Sequence, residues 1–301
     1  MTFTTMIKEE IVAYDFNKIE ALTTLKALFL YDAVINKKEI SFTIENAKVA
    51  KLVYIFVKKL FNVNPSIIVR NQKRFRVKQL YIIKIVEKNQ DIVNTLNTTN
   101  LDSDEEKIAY LMGTFLACGS INDPKKGSYH LEFLLPMKKE AVFITNILKE
   151  YNIISKIIKR TNKYMVYIKS AEMISDFLKL IKVTNSLFYY EDIRIYRDHK
   201  NMVNRLNNCE LANQEKTTQN GLKQLDDITY LEENDLIDLL DEKTKIIMDY
   251  RKKYPESSYQ ELADIISLET DYKISKSGVN HHFIKLRDLI KRHEKSLNKN
   301  D

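Results

Sequence analysis

The sequence predicts an α+β chain: two similar lobes, each with helices on an antiparallel sheet, then an all-α helix-turn-helix module. Three observations lead there. A stretch near residue 24 is echoed near residue 110. Within each copy, apolar residues at helical spacing alternate with runs of β-formers. The tail holds a capped helix, a short polar turn and a basic-tipped helix. Its charge is segregated: Lys273 to Asp301 carries eight Lys/Arg against three Asp/Glu, while Thr229 to Tyr272 carries five against twelve.

At 301 residues the chain can hold two domains, or one large domain plus a module. A hydrophobic content of 44% supports a core, and only 5 Gly and 4 Pro favour regular structure. No apolar run approaches the ~20 residues of a membrane span, and Met1 to Glu10 lacks the apolar centre of a secretory signal. Two cysteines, Cys118 and Cys209, do not make a disulfide framework, so a reducing cytoplasm is expected. A net charge of +7 permits nucleic-acid binding without specifying it.

The repeat supplies the lobes. Thr24 to Asn36 meets Tyr110 to Asn122 at an offset of 86, with Leu25, Phe29, Leu30, Ile35 and Asn36 on identical residues. Arg70-Asn71-Gln72-Lys73 meets Arg160-Thr161-Asn162-Lys163 at an offset of 90, and the loop Asp123 to Gly127 can hold the four extra residues. Two such units imply a pseudo-twofold axis. Each copy reads helix, two strands, helix, two strands. In the first copy the expected elements are Phe16–Tyr31, Ile40–Ile44, Asn46–Phe61, Ser66–Val69 and Phe75–Ile85. In the second they are Glu105–Ala117, Tyr129–Leu135, Met137–Tyr151, the hairpin Ile153–Ile158 with Tyr164–Lys169, and a closing helix Ala171–Ile181. Gly113 and Ala117, four apart on one face, suit a close helix–helix seam.

The last strands of each copy are basic. Arg70, Lys73, Arg74 and Arg76 in the first copy, and Lys159, Arg160 and Lys163 in the second, are candidates for contact with a phosphate backbone. Alternation puts Arg74 and Arg76 on one face and Phe75 and Val77 on the other. An ordinary solvated Lys/Arg face would look the same.

Ser186 to Asn220 is polar and rich in Asn, and it reads as a linker with one or two short helices, closed by Gly221. Beyond it, Asp235 to Tyr254 has helical spacing and Pro255 stops it. Ser258-Tyr259-Gln260-Glu261 is a capping box. After a turn, Ser275 or Ser277 caps a helix whose apolar face is Val279, Phe283, Leu286 and Ile290. Ser275, Lys276, Ser277, Asn280, His281, His282 and Lys285 are the candidate DNA-reading residues of that helix, with Arg287 also off the apolar face. A recognition helix enters the major groove by its N-terminal residues, and Asn can pair with adenine bidentately. A generic three-helix interaction module is the plainer alternative. Neither His281-His282 nor the scattered His130, His199 and His293 has metal-ligand spacing, so no metal and no cofactor is expected.

Two resemblances follow from these residues. The repeat, with Leu111 to Gly119 as signature helix, resembles the LAGLIDADG homing-endonuclease fold in its single-chain form. In active members each signature helix ends in an acid and the pair holds divalent metal. Here the matching positions are Asp32 and Cys118, and a thiol is a poor ligand for a hard cation. The expectation is therefore no nuclease activity, with Asp32 a helix-terminal surface acid and Cys118 a small buried hydrophobe. Over nearly its whole length the chain also resembles the WhiA family. The matching residues are Gly113, Phe115 to Ala117, Gly119, Ser120 and Asn122-Asp123-Pro124; Asn204-Arg205-Leu206, Asn208-Cys209-Glu210, Ala212-Asn213 and Lys216-Thr217; and Ser275 to His281. Cys118, and His282 where an Arg is expected, depart from that pattern. The resemblance implies a non-enzymatic, cytoplasmic, nucleoid-associated protein that binds double-stranded DNA. Its roles would be in transcription, sporulation, cell division or chromosome segregation, with other transcription or division proteins as further partners and neither membrane nor small-molecule substrate. An active endonuclease, or lobes that serve as a protein-interaction platform, are the alternatives. The expected domains are 1–190 (repeats about 16–96 and 104–182), a junction at 191–228 and a helix-turn-helix domain at 229–301.

Overall fold

The structure, a computed structural model, describes residues 2–36, 39–72, 79–86, 89–97 and 100–297. The chain divides into two compact units, residues 1–198 and residues 199–301.

The first unit holds both lobes. It begins with α1 (Phe3–Val12), then runs α2 (Lys18–Asp32), β1 (Ala33–Ile35), β2 (Ile40–Ile44), α3 (Ala47–Phe61), β3 (Ser66–Asn71), β4 (Gln79–Ile85) and α4 (Asn89–Leu96). The second lobe is α5 (Asp104–Cys118), β5 (Gly119–Ile121), β6 (Leu131–Leu135), α6 (Lys138–Glu150), β7 (Lys156–Arg160), β8 (Lys163–Ile168) and α7 (Ala171–Leu180). Each lobe has one antiparallel four-stranded sheet, and the orders β1-β2-β4-β3 and β5-β6-β8-β7 are the same topology. The sequence expectation missed α1 and α4, and it counted the short first strand of each sheet without giving its bounds. The extra residues of the second copy do fall between β5 and β6.

Chain alternation sorts the sheet residues. Phe42 opposite Ile83 and Phe133 opposite Val166 are fully buried on the helix side. The two signature helices, α2 and α5, carry Leu25, Leu28, Leu111 and Phe115 into one shared core. A Cβ on Gly113 would lie 2.5 Å from the Thr24 carbonyl oxygen and 2.8 Å from the Ala27 Cβ, so only glycine allows this approach. Thr24 donates to the Ala109 carbonyl at 3.2 Å, and the Tyr31 and Tyr110 hydroxyls meet at 3.2 Å. The seam is asymmetric at Tyr31, which stands in α2 where the repeat places Ala117 in α5.

The Asn-rich junction is not a linker with short helices. α8 runs unbroken from Thr184 to Glu233. Its lack of apolar periodicity between 199 and 216, where every residue is exposed, concealed it. Proline is absent from this stretch, and each unit holds its own part of the helix by packing: Ser186 and Tyr190 are buried in the first, Gln224, Ile228 and Leu231 in the second. The helix start is also capped from α1. The Glu10 carboxylate accepts from the Asn185 and Ser186 amides at 2.7 and 2.9 Å and from the Ser186 hydroxyl at 2.7 Å.

In the second unit α8 is followed by a 3-10 turn (Ile237–Leu239), α9 (Glu242–Lys253), α10 (Tyr259–Glu269) and α11 (Lys276–Leu297). The helix expected from Asp235 starts later, because Asp235 takes a φ of 55° and Asp241 is the cap of α9. Val279, Phe283 and Leu286 are fully buried against Leu262, Ile266 and Ile247, and Ile290 is nearly so.

Candidate nucleic-acid interface

The tip of α11 is built by local chemistry. Ser275 is its cap: the hydroxyl accepts from the Gly278 amide at 3.3 Å and lies 2.9 Å from the Ser277 hydroxyl. The Ser275 carbonyl takes the Val279 amide at 3.0 Å, which starts the helix. With Val279 and Phe283 turned into the core, Ser275, Lys276, Ser277 and His281 stand exposed and Asn280 is half-exposed. Ser275, Lys276, Ser277 and Asn280 line a shallow groove of about 570 Å³ with Tyr259 and Gln260 from the start of α10. Lys276 makes no ion pair among the described residues. A helix N-terminus with an exposed ammonium, hydroxyls and an amide presents donors to an anionic, hydrogen-bonding partner.

His282 and Lys285 stand elsewhere. Thr244 donates to Asp241 Oδ1 at 2.6 Å, and its hydroxyl lies 2.7 Å from His282 Nδ1. Burial, with Lys285, His281 and Lys243 near, holds the His282 imidazole below its usual range against the pull of Asp241. His282 thus faces α9 rather than the exposed tip, because residue 282 sits beside the buried Phe283 and Val279 on the helix. Lys285 reaches Asp241 Oδ2 at 3.7 Å, and Arg287 reaches Asp227 at 3.7 Å.

Beneath this tip lies a support that the sequence reading missed. Arg251 is fully buried, and its Nη1 donates to the carbonyls of Tyr254, Pro255 and Ser257 at 3.2, 3.2 and 2.6 Å. Its guanidinium also lies 5.7 Å from the Phe283 ring centroid. One cation thus ties the α9–α10 turn to α11. An Arg followed by Lys252 and Lys253 reads as part of a solvated face, so its burial leaves no sign in the sequence. Gly221 lets α8 pass that turn: a Cβ there would lie 2.0 Å from the Pro255 carbonyl oxygen.

The lobe strands give a mixed picture. Lys73, Arg74 and Arg76 lie outside the described residues. Arg70 stands opposite Leu80 on the outer face of its sheet, and Arg160 opposite Lys163 on the outer face of the other. Lys159 stands opposite Tyr164, on the helix side with Val166, so strand alternation separates it from Arg160 and Lys163. Glu132 lies 3.9 Å from Arg160 and Glu39 2.9 Å from Lys84, which neutralises part of the charge. Apolar side chains share these faces, with Ile68 45% and Ile158 49% exposed.

Asp32 and Cys118 end α2 and α5. Asp32 is not a surface acid. It lines a cleft of about 850 Å³ with Lys8, Glu45, Asn46 and Ser120. Burial pushes its carboxyl up to about 7, with Lys8 and Lys163 opposing and Glu45 adding. Cys118 is half-buried, donates to the Thr114 carbonyl at 3.3 Å and is pushed up to about 12, chiefly by burial. Lys8 donates to the Leu116 carbonyl at 2.8 Å. Asp32 beside Lys8, with a thiol rather than an acid at the matching end of α5, is a poor ligand set for a divalent cation, and no group of three His, Cys, Asp or Glu that could hold a metal occurs among the described residues. No helix among them is long and apolar enough to cross a membrane.

Comparison with known proteins follows the same division. Residues 17–99 match the WhiA N-terminal LAGLIDADG-like domain, 107–200 the WhiA LAGLIDADG-like domain and 203–290 the WhiA C-terminal HTH domain. A probable cell division protein WhiA of Bacillus cereus (strain AH187) is 33% identical over 309 residues, covering 97% of each chain. The same figures, 33% and 97%, hold for its counterpart in Bacillus anthracis (strain CDC 684 / NRRL 3495). Among solved structures, full-length DUF199/WhiA from Thermatoga maritima has a TM-score of 0.61 at 24% identity, covering 97% of this chain and 99% of that one. The N-terminal LAGLIDADG domain of DUF199/WhiA has a TM-score of 0.52 at 24% identity, covering 60% and 90%. These structures share the fold.

Proposed function

The chain belongs to the WhiA family, and from that premise we propose that it binds double-stranded DNA through the tip of α11 without cutting it. The observation that carries this reading is the exposed, Ser275-capped tip bearing Lys276, Ser277, Asn280 and His281 above a buried Val279–Phe283 face. Its cellular role is regulatory, in transcription, sporulation, cell division or chromosome segregation, at the nucleoid in the cytoplasm. The relatives' name, probable cell division protein, supports the division role.

The test begins with DNA recovered by genome-wide pull-down of the full chain, titrated by fluorescence anisotropy. Asn280→Ala should weaken binding to a recovered site by about 1–3 kcal/mol, roughly 5- to 150-fold, if the amide reads a base. Equal affinity for wild type and variant on recovered sites would remove Asn280 from the interface. Supercoiled plasmid with Mg²⁺ should stay intact, because the thiol of Cys118, not a second acid, ends α5 where Asp32 ends α2; nicking or linearisation would reverse the non-enzymatic reading.

A second reading concerns the lobes alone. Exposed Ile68 and Ile158 among the basic residues favour a protein-interaction platform over a phosphate track. Arg160→Ala with Lys163→Ala in the full chain should then leave DNA affinity unchanged; a fall in affinity would favour lobe contact with the duplex.

A further inference from the structure

The Asn-rich part of α8 is an energetic anomaly. From residue 199 to residue 216 every side chain is exposed, so packing within the unit does not hold these turns helical. Asn at 201, 204, 207, 208 and 213 is a poor helix former, because its amide competes with the backbone. A bare stretch of this composition is marginal as a helix in water. Its side chains are nevertheless ordered by type around the axis.

Arg205, Cys209, Ala212, Lys216 and Asn220 follow one another at steps of four, three, four and four, with Asn213 beside them. They make one stripe of the helix. A cation stands toward each end, amides stand toward the Asn220 end, and small residues stand between. Glu210 and Glu215 fall off it. Neither Arg205 nor Lys216 forms an ion pair among the described residues. The Asn213 side chain makes, among the described residues, only a long contact of 3.8 Å to the Cys209 sulfur.

The stripe leads toward the tip of α11. Thr217 and Asn220 line a cavity of about 140 Å³ with Ser257, Ser258 and Tyr259 of the α10 start and Lys276 of the α11 tip. From Arg205 to Asn220 the rise is about 22 Å at 1.5 Å per residue. That spans roughly six or seven base pairs at 3.4 Å each.

Taking the DNA-binding reading above as given, we infer that this stripe of α8 is a second duplex contact, continuous with the α11 tip, which holds the sugar-phosphate backbone beside the recognised sequence. Arg205 and Lys216 neutralise phosphates. Asn213 and Asn220 donate amide hydrogens to phosphate or sugar oxygens. Cys209 and Ala212 leave room for the backbone to come close. The contact also supplies the partner that keeps these exposed turns helical.

The test uses the full chain with fluorescein-labelled mixed-sequence duplexes of 12 and 30 base pairs, titrated from 50 to 200 mM KCl. Each phosphate contact contributes about 0.9 to the slope of log K against log salt. Arg205→Ala with Lys216→Ala should lower the slope on the 30-base-pair duplex by nearly 2, with a smaller change on the shorter one. Asn280→Ala, run in parallel, should keep the wild-type slope. The 30-base-pair duplex should also slow maleimide labelling of Cys209, read by peptide mass. An unchanged slope in the double variant, with Cys209 labelled equally fast with and without DNA, overturns the inference while leaving the α11 reading intact. Loss of all salt-dependent binding in the wild type overturns both. Light scattering supplies the last arm: a wild-type dimer that becomes a monomer in the double variant assigns the stripe to a second copy and overturns the DNA contact.

Discussion

Replacing Gly221 by Ala sets local propensity against tertiary packing, and the structure decides the sign. Gly221 lies inside α8, where Ala is better than Gly by about 0.8–1.0 kcal/mol. On that ground alone the variant should be more stable. The added Cβ, however, would sit 2.0 Å from the Pro255 carbonyl oxygen and 3.5 Å from Arg251 Nη1. Ordinary contact needs more than an additional ångström, and the obstacle is backbone rather than the far end of a side chain. Separation must move the Pro255 carbonyl, which accepts from Arg251 at 3.2 Å. Overpacking of a well-packed site costs about 1–3 kcal/mol. Weakening a buried hydrogen bond to a charged group adds about 1.5–3 kcal/mol. Set against the propensity gain, the net effect is destabilisation by roughly 2–4 kcal/mol. The assay is hydrogen exchange by mass spectrometry on the full chain, because two units need not unfold together and exchange reports each separately. Peptides from α9 to α11 should lose protection while those from α2 and α5 keep theirs. A variant equally or more protected in α9 to α11 would refute the steric argument.

Three further outcomes are expected. Burial keeps His282 neutral in the folded state, below its usual 6.5, so the unfolded chain binds the extra proton first and stability falls as pH drops below about 6.5. Urea titrations at pH 7.5 and 5.5 should show this loss in the wild type and a smaller loss in His282→Gln; equal losses would exclude His282 as the cause. Asp32 has the opposite sign of linkage: its carboxyl is pushed up to about 7, so ionising it costs stability as pH rises from the usual carboxylate range through 7. Asp32→Asn should therefore be more stable than wild type at pH 8 by on the order of 1 kcal/mol and no different at pH 4, read by thermal unfolding; a less stable variant at pH 8 would refute the burial argument. Glu10→Ala removes the carboxylate that caps α8 and should cost about 0.5–2 kcal/mol, with faster amide exchange confined to residues 184–190; protection unchanged there would deny the cap.

Much of the architecture was legible because period and punctuation survive in a single sequence. The repeat at offsets 86 and 90 located both lobes, since two copies of one pattern bury the same face twice. Gly113 marked the seam between α2 and α5, and Ser258 with Glu261 marked the start of α10 by local hydrogen bonding. The exposed tip of α11 was readable from the spacing of Val279, Phe283 and Leu286, which fixes what faces away from the core.

The sequence by itself therefore determined what local rules govern: helix faces, strand alternation, caps, and the segregation of charge onto the last helix. Only the tertiary structure decided what depends on distant neighbours. It turned His282 toward Thr244, half-buried Asp32 in a cleft with Lys8, and drew Glu10 to the start of α8. It also packed both ends of α8 while leaving its Asn-rich middle exposed, and it set Gly221 against the Pro255 carbonyl that Arg251 holds. The physical reason is range: propensity and periodicity act over about one turn, whereas burial and electrostatic environment are set by residues far away in the chain.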